Sequence, residues 1–192
     1  MKPADQARDY VAGLTQMLKA VPSDAIAQIA RVLERARSEG RTVVLFGNGG
    51  SAANASHIAL DLSKTTSRTG AARLRALALT DNVPLITAWA NDVAYERVFA
   101  EQLDNLVGPG DVAIALSCSG TSPNVVMAVR RARERGATTI ALTGFEGGHL
   151  KALVDICLVV PGEHMGRIED THLVIGHILT DVLAGRRVPT SP

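Results

Sequence analysis

Two pairs of side chains have the types and spacing for acid–base or metal chemistry. His57 and Asp61 are four residues apart in a predicted helix, so both project from one face, one turn apart. Glu169 and His177 lie on a predicted C-terminal helix. Imidazole and carboxylate groups serve both as zinc ligands and as partners in proton transfer. The pairs are therefore candidates for a metal site or a proton shuttle, although a His–Asp pair at this spacing is also typical of a solvated helix face.

A glycine-rich loop is a candidate anion site. Its sequence, Gly47-Asn48-Gly49-Gly50-Ser51, lies between a predicted strand and a predicted helix. The glycines let the backbone approach a ligand closely, and the helix N-terminus offers free N–H groups and a partial positive charge. The loop also fits a dinucleotide fingerprint through Ala52, but the acidic residue expected about 20 positions later is missing, which disfavours a nucleotide. A tight turn without a ligand is the other alternative for this loop alone.

A serine-rich loop is the second candidate anion site. Its sequence, Ser117-Cys118-Ser119-Gly120-Thr121-Ser122-Pro123, follows another predicted strand. Ser122 can cap the next helix, whose first turn contains Pro123. Four hydroxyl groups and a second helix N-terminus converge here, which allows a nearly neutral protein to hold a dianion without an arginine cluster. A run of hydroxyls at the end of a strand favours a phosphate pocket over a loop whose serines only cap.

The elements that position these loops follow from the hydrophobic periodicity. Apolar residues recur at helical spacing between residues 5 and 39, which predicts a helical hairpin. Ser23 is the expected N-cap of its second helix, and Gly40 is expected to end that helix. Short β-branched runs come next, each followed by a turn and usually by a helical segment. The predicted strands are 42–46, 74–79, 112–116, 138–142 and 156–160.

This alternation predicts an α/β fold with a doubly wound, five-stranded parallel sheet and helices on both faces. The hairpin precedes the sheet, and a helix from about Arg167 to Ala184 closes the chain. In this architecture ligands bind beyond the carboxyl ends of the strands, where both candidate loops lie. We expect one domain over residues 1–185 and a flexible tail over 186–192. The apolar stripe of the hairpin is expected to pack partly on the sheet and partly on another subunit.

Composition narrows the classes of function. The chain has 192 residues, of which 46% are hydrophobic and 20% charged, as in a soluble globular domain. Only 3% are aromatic, and 20 Lys and Arg nearly balance 19 Asp and Glu, so neither nucleic acid nor an anionic membrane is an expected partner. A charged N-terminus and the lack of a long apolar run predict a cytoplasmic protein. Cys118 and Cys157 are expected to be small core residues without a disulfide.

The two loops and the order of the elements together resemble the sugar isomerase (SIS) domain family, whose members bind phosphosugars. The resemblance covers nearly the whole chain, from the hairpin to about Leu183, and implies a flavodoxin-like SIS fold. Within the family, the sequence is similar to the phosphoheptose isomerases. Supporting stretches are Thr80-Asp81-Asn82, Ala90-Asn91-Asp92, Ala141-Leu142-Thr143-Gly144 followed by Gly147-Gly148, and Arg167-Ile168-Glu169 followed by His177.

The resemblance also implies roles for individual residues. The substrate phosphate would be held by Ser51, Ser117, Ser119 and Ser122, assisted by the backbone of Cys118 and Thr121. The rest of the substrate site would include Asn48, Gly49, Gly50, Asp92 and Glu169. For Asp92, a contact with sugar hydroxyls and the capping of a loop are equally open. A divalent metal, expected to be zinc, would be held by His57, Asp61, Glu169 and His177.

Two positions depart from the family pattern. The family usually has Glu where this chain has Asp61, and Gln where it has Glu169. A set of two imidazoles and two carboxylates neutralises a divalent cation well, so metal binding is expected to survive. A base retracted by one methylene can lose its reach to the substrate carbon, so catalysis is less secure.

The reaction that the resemblance implies is an aldose–ketose isomerisation. Sedoheptulose 7-phosphate would become D-glycero-D-manno-heptose 7-phosphate, or a related heptose 7-phosphate, through an enediol. Asp61, Glu169 and His177 are the expected catalytic residues. Two alternatives stay open: an isomerase of another phosphosugar, and a non-catalytic SIS protein that resembles the replication-initiator-associating proteins in its run from Ser51 to Ala55. The presence of both His57 and His177 favours an enzyme over a non-catalytic protein, because a protein that only binds others does not need two imidazoles near a phosphate site.

Helix geometry leads to a prediction about assembly. Glu169 and His177 are eight residues apart, which is a rise of ~12 Å and an offset of ~80° on a straight helix. One metal ion cannot bridge that span. Either the helix is irregular near Glu169, or the two ligands come from different subunits, and we favour the second. The family's tetrameric habit agrees, so we expect a homotetramer with sites at its interfaces. His172 is expected to pack behind the ligands rather than join them.

Overall fold

The computed structural model describes residues 2–67 and 70–186 and contains a five-stranded parallel sheet. The strand order is β2-β1-β3-β4-β5. The strands are β1 (Thr42–Gly47), β2 (Arg75–Ala78), β3 (Val112–Ser117), β4 (Thr138–Thr143) and β5 (Ile156–Val159). The helices are α1 (Pro3–Lys19), α2 (Ser23–Ser38), α3 (Gly50–Leu60), α4 (Val83–Asp92), α5 (Ala100–Leu106), α6 (Pro123–Glu134), α7 (Leu150–Leu153) and α8 (Met165–Ala184).

The order of the strands creates a crevice at one edge of the sheet. From β1 the chain crosses to β2 on one side and then returns to β3 on the other side. The register pairs Gly47 of β1 with Leu116 of β3, so the glycine loop and the serine loop leave the sheet side by side. A reversal of this kind is where doubly wound folds bind ligands. The predicted fold class is confirmed, and both candidate loops lie at the expected edge.

Two apolar layers hold the helices on the sheet. One joins α2, α3 and α8 to the sheet, and its fully buried members include Leu33, Leu62 and Ile168. The other joins α5, α6 and α7 to the opposite face. The hairpin therefore packs on the sheet through α2, which confirms the first part of the prediction, and its packing on another subunit stays a prediction. On the side of the hairpin that does not contact the sheet, an apolar groove remains open between α1, α2 and α8.

Several predicted boundaries shift slightly. Ser23 is the first residue of α2 rather than its N-cap, because Pro22 takes the extended cap conformation (φ −72°, ψ 104°) and no side chain caps the helix. Gly40 follows the end of α2 with φ +66°, as expected of a helix-ending glycine. A π-helical turn, Asp61–Thr65, continues α3 and was not predicted. Except for Arg186, the predicted flexible tail lies outside the described residues.

Two remaining predictions concern cysteines and membranes. Cys118 is buried, Cys157 is half-buried, and both are free thiols, as expected of small core residues. Within the described ranges, no helix is both long enough and apolar enough to cross a membrane.

Candidate active site

The two predicted anion loops meet in one cavity of about 150 Å³. It lies at the carboxyl ends of β1 and β3, under the first turns of α8. The cavity is lined by Asn48, Ser51, Leu116, Ser117, Cys118, Ser119, Ser122, Met165 and Glu169. The four serines expected to hold a phosphate are therefore together, and the N-termini of α3 and α6 both adjoin the cavity.

The serine loop presents its hydroxyls through a short hydrogen-bonded turn. Ser117 Oγ accepts the Gly120 N–H at 3.2 Å and lies 3.5 Å from Ser122 Oγ. Ser119 Oγ accepts the Thr121 N–H at 3.3 Å and the Thr121 hydroxyl at 3.1 Å. Ser122 occupies the N-cap position of α6 but makes no side-chain cap bond there. The hydroxyl hydrogens of Ser117, Ser119 and Ser122 can therefore rotate toward an anion in the cavity.

Glu169 reaches this cavity from α8. A Cβ atom at Gly50 would lie 2.5 Å from the Glu169 carboxylate oxygens, so the first residue of α3 must be glycine for that carboxylate to rest where it does. The Glu169 carbonyl accepts the Asn54 side-chain amide at 2.8 Å, which ties this turn of α8 to α3. Burial, reinforced by the charge of Glu169, raises the pKa of Cys118 to about 11. The thiol that lines the cavity is therefore uncharged at neutral pH.

A second group of side chains gathers at the other end of the contact between α3 and α8. His57 Nε2 and His177 Nε2 lie 3.6 Å and 3.7 Å from Asp61 Oδ2. The two Nε2 atoms are 3.4 Å apart. Asp61 is largely buried at 13% exposure, whereas the imidazoles are about half exposed. We call these three residues the triad.

The triad fits a divalent metal. Ligand atoms of a tetrahedral zinc, at bonds of 2.0 to 2.1 Å, are about 3.3 Å apart, close to the separations of 3.4 to 3.7 Å in the triad. Asp61 Oδ1 accepts the Thr65 hydroxyl at 2.9 Å, so one oxygen is held while the other faces the imidazoles. Orientation of a ligand by such a contact is typical of metal sites.

Close packing of α3 against α8 assembles the triad. A Cβ atom at Gly176 would lie 2.5 Å from Cγ1 of Ile58, so the two helices touch at this glycine. Gly176 precedes His177, and Ile58 follows His57. The approach of the backbones therefore brings the two imidazoles together.

Glu169 does not join the triad within this chain. Among the described residues, the group of potential ligands at this point consists of His57, Asp61 and His177 alone. The helix α8 is continuous from Met165 to Ala184, so an irregular helix near Glu169, one of the two options for a shared metal, is not what the chain adopts. The sharing of ligands between subunits stays a prediction.

Two other predicted residues belong neither to the serine-lined cavity nor to the triad. Asp92 is exposed at the end of α4, where its carboxylate accepts a hydrogen bond from the Asn91 side-chain amide at 2.8 Å, and it does not line the cavity. His172 is fully buried, and its Nε2–H donates to the Thr143 carbonyl at 3.1 Å. Burial lowers the pKa of His172 to about 4. His172 is therefore a neutral packing residue, as predicted.

Two residues of the site were not found from the sequence. Asn124, the second residue of α6, pairs its amide with that of Asn48 at 2.8 Å. The Tyr95 hydroxyl donates to Asn48 Oδ1 at 3.1 Å. Asn124 follows Pro123 in the first turn of a helix, where polar residues are common, so its type and position gave no signal of this contact.

The chain is similar to known proteins over most of its length. Residues 8–144 match the SIS domain family. Phosphoheptose isomerase of Akkermansia muciniphila is 37% identical over 178 residues, which cover 92% of this chain and 94% of that protein. Phosphoheptose isomerase of Trichlorobacter lovleyi is 39% identical, with coverages of 94% and 91%.

A solved structure shows the same arrangement of elements. Phosphoheptose isomerase from Neisseria gonorrhoeae superposes with a TM-score of 0.86 at 31% sequence identity, over 95% of this chain and 96% of that one. The likeness in sequence and in structure covers more than nine tenths of the chain. The chain therefore belongs to the SIS domain family and, within it, to the phosphoheptose isomerases.

Proposed function

We propose that this protein is an aldose–ketose isomerase that converts sedoheptulose 7-phosphate to D-glycero-D-manno-heptose 7-phosphate. The observation that carries the proposal is the pairing of a serine-lined cavity with the triad at opposite ends of one helix contact. The names of the relatives favour the same reaction. A protein that acted only by binding others would have no use for the triad.

The separation of the two ends is large enough for a seven-carbon substrate. From Ser51 to His57 the rise along α3 is ~9 Å, and from Glu169 to His177 the rise along α8 is ~12 Å. An extended heptose 7-phosphate has eight bonds from C1 to phosphorus and spans roughly 10 Å, at ~1.2 Å per bond of an extended chain. A sugar whose phosphate lies among the serines can therefore place C1 and C2 at the triad.

The serines would bind the phosphate. Ser51, Ser117, Ser119 and Ser122 supply hydroxyl donors, and the N-termini of α3 and α6 supply backbone N–H groups. The backbone of Asn48, Gly49 and Gly50 would approach the sugar from the glycine loop. The Glu169 carboxylate, which lines the same cavity, would accept hydrogen bonds from sugar hydroxyls.

Residues of the triad would carry out the proton transfer between C1 and C2. His57, Asp61 and His177 would hold a divalent cation, for which we propose zinc, and the bound cation would supply Lewis-acid chemistry at the carbonyl end of the sugar. We propose that His177 and Asp61 move the proton through the enediol. The predicted roles of Glu169 as a metal ligand or a base require a second subunit.

We also propose that the protein is a homotetramer. The apolar groove between α1, α2 and α8 has a volume of about 490 Å³ and is open to solvent in the single chain. Ile178 and Val182 of α8 are 40% and 55% exposed beside it. Because Ile178 follows His177, a second copy seated in the groove would lie next to the triad.

An isomerisation assay tests the proposed function. Zinc-loaded and chelated protein would each be incubated with sedoheptulose 7-phosphate, and formation of the aldose followed. We expect turnover in the loaded sample and its loss after His177→Ala, with His149→Ala as the matched control at an exposed histidine. No turnover in either sample would contradict the proposal, and turnover unaffected by chelation would remove the metal while keeping the isomerase.

A further inference from the structure

The side chains of Asn48 and Asn124 form a closed pair between the two loops of the site. The Asn48 amide donates to Asn124 Oδ1 at 2.8 Å, and the Asn124 amide donates to Asn48 Oδ1 at 2.8 Å. Asn48 belongs to the glycine loop, and Asn124 follows the serine loop in the first turn of α6. Each residue therefore holds the other by two hydrogen bonds.

Neighbouring groups fix the orientation of both amides. Asn124 Oδ1 also accepts the Val125 N–H at 3.0 Å, and Asn48 Oδ1 also accepts the Tyr95 hydroxyl at 3.1 Å. Asn124 is 2% exposed, so a rotated amide would leave buried polar atoms without partners, which is costly. The pair therefore has one stable arrangement and acts as a rigid link.

This link fixes the distance between the donors that surround the cavity. Asn48 lines the cavity next to Ser51, and Asn124 lies two residues beyond Ser122. Charge-assisted hydrogen bonds to a phosphate are short, at about 2.7 to 2.9 Å, so donors from both loops must be held at matching positions. Small displacements of binding groups can have large effects on a reaction.

We propose that Asn124 is a positioning residue of the phosphosugar site, which sets through Asn48 the separation of the glycine and serine loops. The inference rests on the proposed function, because it takes the ligand to be a sugar phosphate. Asn124 itself is not required to touch the substrate. Its loss weakens phosphate binding and leaves the chemistry at the triad intact.

Two substitutions separate this role from effects on charge or folding. Asn124→Asp keeps the size of the side chain, still accepts from the Val125 N–H and places a negative charge in the first turn of a helix, which favours folding. It cannot donate to Asn48. Asn124→Ala removes the pair without adding charge. We expect both variants to raise the KM for sedoheptulose 7-phosphate on the order of tenfold, while kcat changes much less. A tenfold change corresponds to about the net free energy of one hydrogen bond.

Further variants show whether the effect passes through Asn48. The double variant Asn48→Ala/Asn124→Ala is expected to bind no more weakly than the worse single variant, because one link is lost in each case. Tyr95→Phe removes a single donor and should have a smaller effect. Thr139→Val is the control for stability: Thr139 is buried at the opposite end of β4, where its hydroxyl donates to Asp155 at 2.8 Å. It should lower Tm and leave KM unchanged.

Calorimetry with inorganic phosphate distinguishes this inference from the proposed function. Weaker phosphate binding in both Asn124 variants supports the positioning role even if the wild type proves inactive on sedoheptulose 7-phosphate. The inference is overturned if the wild type binds no phosphate, or if both variants bind it and the substrate as the wild type does. The inference is also overturned if only Asn124→Asp weakens binding. It is overturned as well if the loss of affinity in the double variant equals the product of the losses in the two single variants.

Discussion

At the scale of single residues, Asp61 connects the two imidazoles of the triad. One of its oxygens faces both rings, and the Thr65 hydroxyl holds the other. Since this carboxylate is the one negative charge of the triad, it contributes most to neutralising a bound cation.

Asp61→Asn should therefore reduce zinc affinity. The amide keeps the shape of the side chain but removes the charge, and we expect a loss on the order of tenfold or more. Equilibrium dialysis against zinc measures it. Asp92→Asn, an exposed carboxylate away from the cavity, is the control, and equal zinc binding by wild type and Asp61→Asn would show that the triad is not a metal site.

His172 gives a prediction about pH. Its pKa is about 4 in the folded protein, below the ordinary value of 6.5, because the ring is buried. The unfolded chain therefore binds the proton first as pH falls, and folding free energy is lost between about pH 6.5 and pH 4. At pH 5 this one group should cost about 2 kcal/mol. Denaturant unfolding at pH 7 and pH 5 measures the loss, and His172→Gln, which does not titrate, should lose correspondingly less. Equal losses would contradict the prediction.

Which residues could be found from the sequence depended on the kind of contact they make. The pair of His57 and Asp61 was visible because spacing of four residues places two side chains on one helix face. The location of Glu169 beside Gly50 was not visible, because it depends on how α8 crosses α3. The pairing of Asn48 with Asn124 joins residues 76 apart, and no local pattern indicates it.

At the scale of elements, the contact between α3 and α8 shapes both ends of the site. A substitution that separates these helices should therefore affect the triad. Gly176→Ala would place a methyl group against Ile58, which is itself buried, so we expect a lower Tm and weaker zinc binding.

Gly166→Ala is the matched control on the same helix. A Cβ atom there would come no closer than 3.2 Å to the Tyr10 hydroxyl, and alanine favours a helix by about 1 kcal/mol over glycine. Thermal unfolding and zinc titration of the two variants check the prediction. Zinc binding by Gly176→Ala equal to that of Gly166→Ala would show that the helix contact does not position the triad.

The strands and helices were predictable where local chemistry decides them. The five strands were found because strands buried on both faces are continuous apolar runs, and their ends moved by only one residue. The π-helical turn at Asp61–Thr65 was missed, since its wider hydrogen bonds depend on tertiary packing. Such turns often occur at functional sites, and here the turn begins at a residue of the triad.

At the scale of the whole molecule, the open groove gives a prediction about assembly. Ile178→Glu would put a charge into the apolar groove, and we expect it to dissociate the proposed tetramer and to lower activity. Met127→Glu, on α6 at the other face of the sheet, is the control. Sedimentation velocity checks both variants. An Ile178→Glu protein that sediments as the wild type does would contradict the assignment of this surface.

The groove itself could be anticipated only in outline. The sequence predicted a hairpin with an apolar stripe, and part of that stripe is buried on the sheet. Which part stays open depends on where α8, from the other end of the chain, lies against α1 and α2. The periodicity of a helix predicts which of its faces is apolar, but it does not predict which element packs against that face.

The pairing of α3 with α8 sets how far the anion loops lie from the triad. Each helix carries a residue at the phosphate end and another at the triad, and each residue inserted between them would add ~1.5 Å and turn the next side chain by ~100°. Removing one carbon shortens the sugar by about the same length, ~1.2 Å. A change of chain length in the substrate therefore cannot be matched by a single insertion or deletion, because the chemical groups would rotate out of line.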